Sequence, residues 1–308
     1  MPPVALVASE LPEFSLGERQ LSPGEQAYLD YYLLDFSSEF PVSNYSLGCV
    51  QSGDHRLAVQ AWLQPDSAGT LMLVHGYFDH VGLFHHLIRY GLQRGYNVLA
   101  FDLPGHGLSS GERACIDDFA DYRRSIAAVR AAASLAGPWY LLGQSTGGAA
   151  IMDYLNSGQG KDIERTVLLA PLIRPRNWRT VSLAHTVLKR FRSSIRRTFA
   201  ENSNDAQFLA FLQIEPLQPR RISTRWLTAL KSWLKDFTRR APCSCSLLVI
   251  QGDDDGTVDW EYNLPELKRL FNKAQVYMLT GGRHHLANEA SDLRSEYMQQ
   301  ISQFLERN

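Results

Sequence analysis

Short apolar runs alternating with amphipathic stretches dominate the chain. Thr70 to His75, Asn97 to Asp102, Trp139 to Leu142, Thr166 to Leu172, Ser246 to Gln251 and Val276 to Leu279 have the near-continuous apolar character of strands buried on both faces. Between them, Leu83 to Gln93 (closed near Gly95), Ile116 to Leu135 and Thr146 to Leu155 read as helices. Upstream, Ser22-Pro23-Gly24-Glu25 is an N-cap with proline at the first helical position, opening a helix through Tyr28, Tyr31, Tyr32 and Leu34. Tyr45 to Gln64 predicts two antiparallel strands about the turn Ser52-Gly53-Asp54, and residues 1–20 an extended lead-in. Such alternation predicts an α/β fold, a mostly parallel sheet with helices on both faces.

Residues 174–240 break that rhythm. They hold no strand-like run, but Val181, Ala184, Leu188, Phe191, Ile195 and Phe199 recur at spacings of three and four, as do Trp226, Leu230, Trp233 and Phe237. The expectation is a helical insertion between two core strands, with residues 1–173 and 241–308 forming the core. Charge sharpens the division. The insertion has 15 Lys and Arg against 4 Asp and Glu, or +11, so the remainder carries −12 to give the net −1 of the whole chain.

Length and composition set the outer bounds: 308 residues with 44% hydrophobic content suffice for a packed core. A near-neutral total gives no general case for nucleic acid, and the aromatics of the basic insertion fit helix cores better than base-stacking platforms. No basic leader segment and no long apolar span is present, and four scattered cysteines, Cys49, Cys115, Cys243 and Cys245, do not make a disulfide scaffold. The expected setting is therefore cytoplasmic, with Cys243 and Cys245 as ordinary thiols.

Candidate chemistry starts at Gly143-Gln144-Ser145-Thr146-Gly147, a G-x-S-x-G placed between a strand and a helix. A sharp strand-to-helix turn holds its serine hydroxyl up at the carboxyl end of a sheet, over helix N–H groups that favour negative charge. A serine is a poor nucleophile until a base takes its proton and an acid fixes that base, and on this turn the chain order is Ser, Asp or Glu, His. Asp253, Asp254, Asp255 and Asp259 follow one later strand, and His284 and His285 follow the last, so acid and base candidates lie on the rim of Ser145. The Thr146 amide and the loop after His75-Gly76, most directly the Tyr77 amide, are the candidate oxyanion donors. His75, His80, His85 and His86 lack acidic partners at ligand spacing, so neither metal nor organic cofactor is expected.

Three segments together are more specific than the serine pentapeptide. Leu73-Val74-His75-Gly76 with His80, the stretch from Phe101-Asp102 through Gly105-His106-Gly107 to Gly111 followed by Phe119, Asp121 and Tyr122, and Gly143 to Gly148 resemble the α/β-hydrolases of the lysophospholipase and monoacylglycerol lipase group, over roughly residues 45 to 300. The resemblance implies the α/β-hydrolase fold with an inserted helical cap. It places the acid on Asp255, in step with Val258, and the base on His284, in step with Asn288 and Glu289. His75, Gly76 and Gln144 become candidate substrate contacts. The chain departs from the group at Gln144, where His is common, at Thr146, often Met, and at His285, where many members carry Glu.

The expected activity is hydrolysis of a lipid-like acyl ester through an acyl-enzyme. A peptidase or thioesterase on the same fold, or a non-catalytic binding module, are the competing expectations. The basic insertion has three readings: a solvated face, an attractor of an anionic head group, or an interfacial helix in which Lys189, Arg190, Arg192, Arg196 and Arg197 contact anionic lipid at the inner membrane surface.

Overall fold

A computed structural model describes residues 11–17, 19–40, 44–198 and 200–306. Its centre is an eight-stranded sheet. In chain order the strands are β1 (Asn44–Ser52), β2 (His55–Leu63), β3 (Thr70–Val74), β4 (Asn97–Phe101), β5 (Trp139–Gln144), β6 (Ile163–Leu169), then β9 (Leu247–Gly252) and β10 (Ala274–Leu279) beyond the insertion. Their spatial order is β1-β2-β4-β3-β5-β6-β9-β10. Only the β1–β2 and β2–β4 pairings are antiparallel; from β4 to β10 the sheet is parallel.

Parallel strands are joined by helices that cross over the sheet faces, and the apolar strands therefore bury both sides. One face packs on α1 (Pro23–Tyr32), α2 (His85–Gln93) and α9 (Ser291–Leu305), the other on α3 (Ala120–Ala133), α4 (Thr146–Asn156) and α8 (Trp260–Leu270). The expected cap of α1 is present in full: the Glu25 amide donates to Ser22 Oγ at 3.2 Å while Glu25 Oε2 accepts from the Ser22 amide at 2.7 Å.

The insertion contributes α5 (Trp178–Leu188), α6 (Ala206–Ile214) and α7 (Thr224–Phe237), plus an antiparallel pair, β7 (Ser194–Arg196) and β8 (Arg221–Ser223). Two expectations fail here. The insertion does hold strands, and the first helical pattern stops at Leu188 instead of continuing through Ile195. Serines 193 and 194 disfavour helix interiors, and Ile195 pairs with Ile222 across the two short strands instead. Phe199 of that pattern lies outside the described residues, as do residues 1–10 of the expected lead-in; Pro12 and Phe14 bond the backbone of Cys49.

Buried polar anchors fasten the insertion to the core. Asp153 on α4 accepts from Trp233 Nε1 at 2.9 Å, Arg240 Nη1 at 2.7 Å and Arg123 Nη1 at 3.0 Å. Trp233 stacks between Phe119 and Phe237, each at 4.5 Å. On the other side Glu215 accepts from Tyr32 and lies 3.2 Å from His80 Nε2. Burial works against a charged His80, but Glu215 outweighs it and raises the imidazole above its ordinary value.

The cysteine expectation is also corrected. Cys243 and Cys245 form a disulfide across Cα atoms 5.7 Å apart, within ordinary bridging reach, which spacing along the chain alone did not reveal. Cysteine usage therefore no longer argues for a reducing compartment. No helix among the described residues is long and apolar enough to cross a membrane.

Candidate active site

The β5-to-α4 turn is built around two glycines. A Cβ on Gly147 would lie 2.1 Å from Val74 O, and one on Gly143 would lie 2.8 Å from the carbonyl carbon of Gly147. Their absence lets α4 start hard against β3 and leaves the chain reversing at Ser145, at φ 53° and ψ −113°. A non-glycine residue there is strained and persists because its surroundings fix it. The Ser145 amide donates to Leu169 O at 2.9 Å, and its carbonyl accepts from Ala149 at 3.0 Å and Leu172 at 3.0 Å.

Two loops from the far half of the sheet converge on this serine. His284 Nε2 lies 3.0 Å from Ser145 Oγ, and His284 Nδ1 lies 2.8 Å from Asp255 Oδ2. The carboxylate fixes the tautomer: Nδ1–H donates to Asp255, which leaves Nε2 to accept from the hydroxyl. Asp255 is itself held by Gln251 Nε2 at 3.1 Å and by the amides of Thr257 and Val258 at 2.7 and 3.1 Å. Burial opposes its charge, yet His284 and these donors keep it below the usual carboxylate range. Burial likewise opposes a charged His284, and Asp255 overcomes it, so the imidazole sits above its ordinary 6.5.

The competing candidates are engaged elsewhere. Asp253 accepts from the Gly281 amide at 2.7 Å, Asp254 pairs with Arg283 at 3.3 Å, and Asp259 caps α8 and binds Arg174. His285 Nε2 donates to Asp79 Oδ1 at 3.1 Å. Asp79 was not legible as a site residue; nothing in its local pattern marks it, and its partner lies 206 positions away.

The expected oxyanion donors flank the serine. Thr146 opens α4, where amides have no intrahelical acceptor, and neither its amide nor that of Tyr77 donates a hydrogen bond among the described residues. A Cβ on Gly76 would lie 3.4 Å from Ser145 Cβ, so this loop passes directly beside the hydroxyl. Tyr77 is fixed by stacking on Trp226 at 3.9 Å and by donating to Ala114 O at 2.7 Å. Phe78, next in the loop, has φ 74°, a second strained residue at the site.

Two expected substrate contacts are corrected. The His75 ring is buried and accepts from the Leu103 amide at 2.9 Å, and Gln144 Oε1 accepts from the Ala287 amide at 2.8 Å. Neither side chain lines the cavity; one ties the oxyanion-side loop to the next strand end, the other ties the His284 loop to the serine turn. The Asp102 segment is also scaffolding: its carboxylate accepts from Val81 and Leu108, each at 2.7 Å, and Gly107 is required because a Cβ there would lie 2.2 Å from Asp102 Oδ2.

Ser145, His284 and Tyr77 open onto a cavity of about 340 Å³ whose walls come from the core rim and the insertion, including Leu172, Val181, Ile222, Trp226 and Leu227. No cluster of side chains suited to a metal ion occurs among the described residues.

The family model described as "Serine aminopeptidase, S33" matches residues 65–291, well over half of the chain. The chain belongs to that family. Among its relatives, "Phospholipase YtpA" of Bacillus subtilis is 24% identical over 207 residues, 64% of this chain and 80% of that one. A "Probable lysophospholipase L2" of Haemophilus influenzae is 24% identical over 302 residues, 89% of this chain and 94% of the relative. In structure, a soluble variant of monoglyceride lipase from Saccharomyces cerevisiae superposes with a TM-score of 0.74 at 17% identity, over 87% of this chain and 97% of that one. That likeness establishes the α/β-hydrolase fold. As a member of the family, the protein is a hydrolase of the α/β-hydrolase fold.

Proposed function

We propose that this family member hydrolyses lipid-like carboxylic esters through a covalent acyl-serine. The observation that carries the reading is the Ser145–His284–Asp255 relay, with links of 3.0 and 2.8 Å, at the wall of a largely apolar cavity. His284 takes the Ser145 proton as Oγ bonds to the acyl carbon, and the carbonyl electron pair moves onto oxygen, where the Tyr77 and Thr146 amides stabilise it. The C–O bond to the alcohol then breaks, and His284 returns the proton to the leaving oxygen. Water repeats the sequence on the acyl-enzyme and releases the acid. The insertion acts as a cap that completes the acyl pocket.

A peptidase, as the family's description names it, needs a group to hold a substrate ammonium. The carboxylate in this cavity, Asp79, is already engaged by His285. The expected result is rapid turnover of p-nitrophenyl esters of medium chain, slower turnover of the acetate, and none of amino-acid p-nitroanilides. Anilide cleavage in place of ester cleavage reverses the assignment.

One surface feature supports membrane contact as well. Leu183, Val187 and Phe191 follow one another at four-residue intervals and are 70%, 56% and 79% exposed, with Lys189, Arg190 and Arg192 beside them. The expected interfacial helix through Arg197 does not form, since α5 ends at Leu188; an apolar stripe of Leu183 and Val187 on α5 and Phe191 in the turn after it replaces it. Val181 on the same helix lines the cavity, so docking α5 would bring the pocket to the bilayer. Basic residues near an anionic surface contribute about 1 kcal/mol each. Binding to phosphatidylglycerol vesicles should exceed binding to phosphatidylcholine vesicles, fall at high salt and weaken in Leu183→Ser/Phe191→Ser. Equal affinity for both vesicle types eliminates membrane recruitment by this face.

A further inference from the structure

The loop that carries the Tyr77 amide is gripped one residue at a time. Tyr77 stacks on Trp226 with ring centroids 3.9 Å apart, and the Arg197 guanidinium lies 4.0 Å from the ring centroid of Phe78. Asp79 Oδ1 accepts from His285 Nε2 at 3.1 Å, and the His285 amide in turn donates to Asn202 O at 2.7 Å. His80 Nε2 lies 3.2 Å from Glu215 Oε1, on a carboxylate that also accepts from the Tyr32 hydroxyl. Trp226, Arg197, Asn202 and Glu215 all belong to the insertion. It therefore holds each of these consecutive loop residues, Asp79 through His285 and the others directly.

Phe78 supplies the reason for so many restraints. The Asp79 amide donates to Gly76 O at 3.2 Å and closes a turn with Tyr77 and Phe78 at its centre. Phe78 takes the third position of that turn at φ 74°, where a positive φ normally calls for glycine. A residue with a Cβ persists there only when its surroundings impose the conformation. Relaxation of Phe78 to negative φ, with the ends of the turn fixed beside Ser145 and at His80, would rotate the peptide planes between them. The Tyr77 amide would then leave the position from which it meets the oxyanion.

We propose that the insertion forms the outer half of the oxyanion site: Glu215, Arg197 and Trp226, with His285, are positioning residues that hold Phe78 in its strained turn and keep the Tyr77 amide aimed. This rests on the ester-hydrolase reading above. None of the four moves a proton in this role. Glu215 separates the role from pocket shape, because it and His80 are buried away from the catalytic cavity and its influence reaches Ser145 through the loop.

The test measures turnover of p-nitrophenyl octanoate together with inhibition by octyl trifluoromethyl ketone and by octyl methyl ketone. The fluorinated carbonyl carbon accepts Ser145 Oγ, its π pair moving onto oxygen and the serine proton onto His284, so its affinity reports the oxyanion site. The methyl ketone fills the same space without adding, and reports the pocket alone. Glu215→Leu and Arg197→Met should each lower kcat by about tenfold to a hundredfold, the scale of a misplaced catalytic group, with KM within about threefold. Affinity for the trifluoromethyl ketone should fall by a similar factor while that for the methyl ketone holds. Glu215→Gln, which keeps an acceptor for Tyr32 and His80, and Arg197→Lys, which keeps a cation over Phe78, should restore most of the rate. In a Phe78→Gly background the turn needs no support, and Glu215→Leu should cost little further. An equal cost in both backgrounds, or equal weakening of both ketones, marks general deformation and overturns the proposal, as does wild-type kcat in the folded variants. Should Glu215→Leu fail to fold, Arg197→Met and its lysine rescue decide alone. A wild type that does not turn over the ester removes the hydrolase reading and this proposal together, whereas an active wild type with insensitive variants removes only the proposal.

Discussion

Replacing Ser145 with alanine is expected to lower kcat/KM on a p-nitrophenyl ester by about three decades or more, the scale on which serine triads lose their nucleophile. The fold has little reason to change. Ser145 is held through backbone hydrogen bonds to Leu169, Ala149 and Leu172, none of which involves Oγ, and alanine keeps the Cβ already accommodated at φ 53°. The variant should therefore melt near the wild-type temperature and lose labelling by a fluorophosphonate probe. The oxyanion amides remain, so a residual rate above that of water alone is consistent with the mechanism. Undiminished turnover is not, and it would return the chain to the reading of a binding module that kept the fold.

Much of this arrangement is legible in the sequence because it rests on local rules. Buried parallel strands advertise themselves as apolar runs, and G-x-S-x-G marks a turn that glycine alone permits, as the contact of Gly147 with Val74 demonstrates. Chain order then supplies an acid and a base. Order could not decide among four aspartates and two histidines, since that choice depends on where two loops meet; the family pattern selected Asp255 and His284, the pair that the fold brings to Ser145.

The insertion was the least legible part. Its helical periodicity ran on past Leu188, but pairing of Ile195 with Ile222 is a long-range contact with no local signature. The same holds for Asp79 and Arg197, each defined by a partner distant in sequence. Conversely, the Asp102 loop is the most distinctive stretch of the sequence, yet its carboxylate and glycines serve to lock one loop against another. Motif specificity tracks how tightly a backbone is constrained, whether or not chemistry occurs there.

Asp255→Asn should cost about three to four decades in kcat, for a reason visible in the hydrogen bonds of this carboxylate. Oδ1 accepts from two backbone amides, Thr257 and Val258, which cannot turn away. An asparagine must therefore place its amide oxygen there and direct its NH2 toward His284 Nδ1. Gln251 can adapt, because its Oε1 is buried without a partner and can rotate to accept from the new amide. His284 Nδ1 then becomes an acceptor, the ring proton moves to Nε2, and the base faces Ser145 with a hydrogen where its lone pair is needed. The pH profile supplies a second readout. His284 must be neutral to act, and Asp255 raises its pKa, so wild-type kcat/KM should fall as pH drops through a midpoint above 6.5. With the carboxylate gone, burial continues to disfavour the imidazolium and nothing comparable opposes it. The acid limb of the remaining activity should consequently move to lower pH. A midpoint that stays in place, or a rate within tenfold of wild type, would show that Asp255 neither orients nor charges the base.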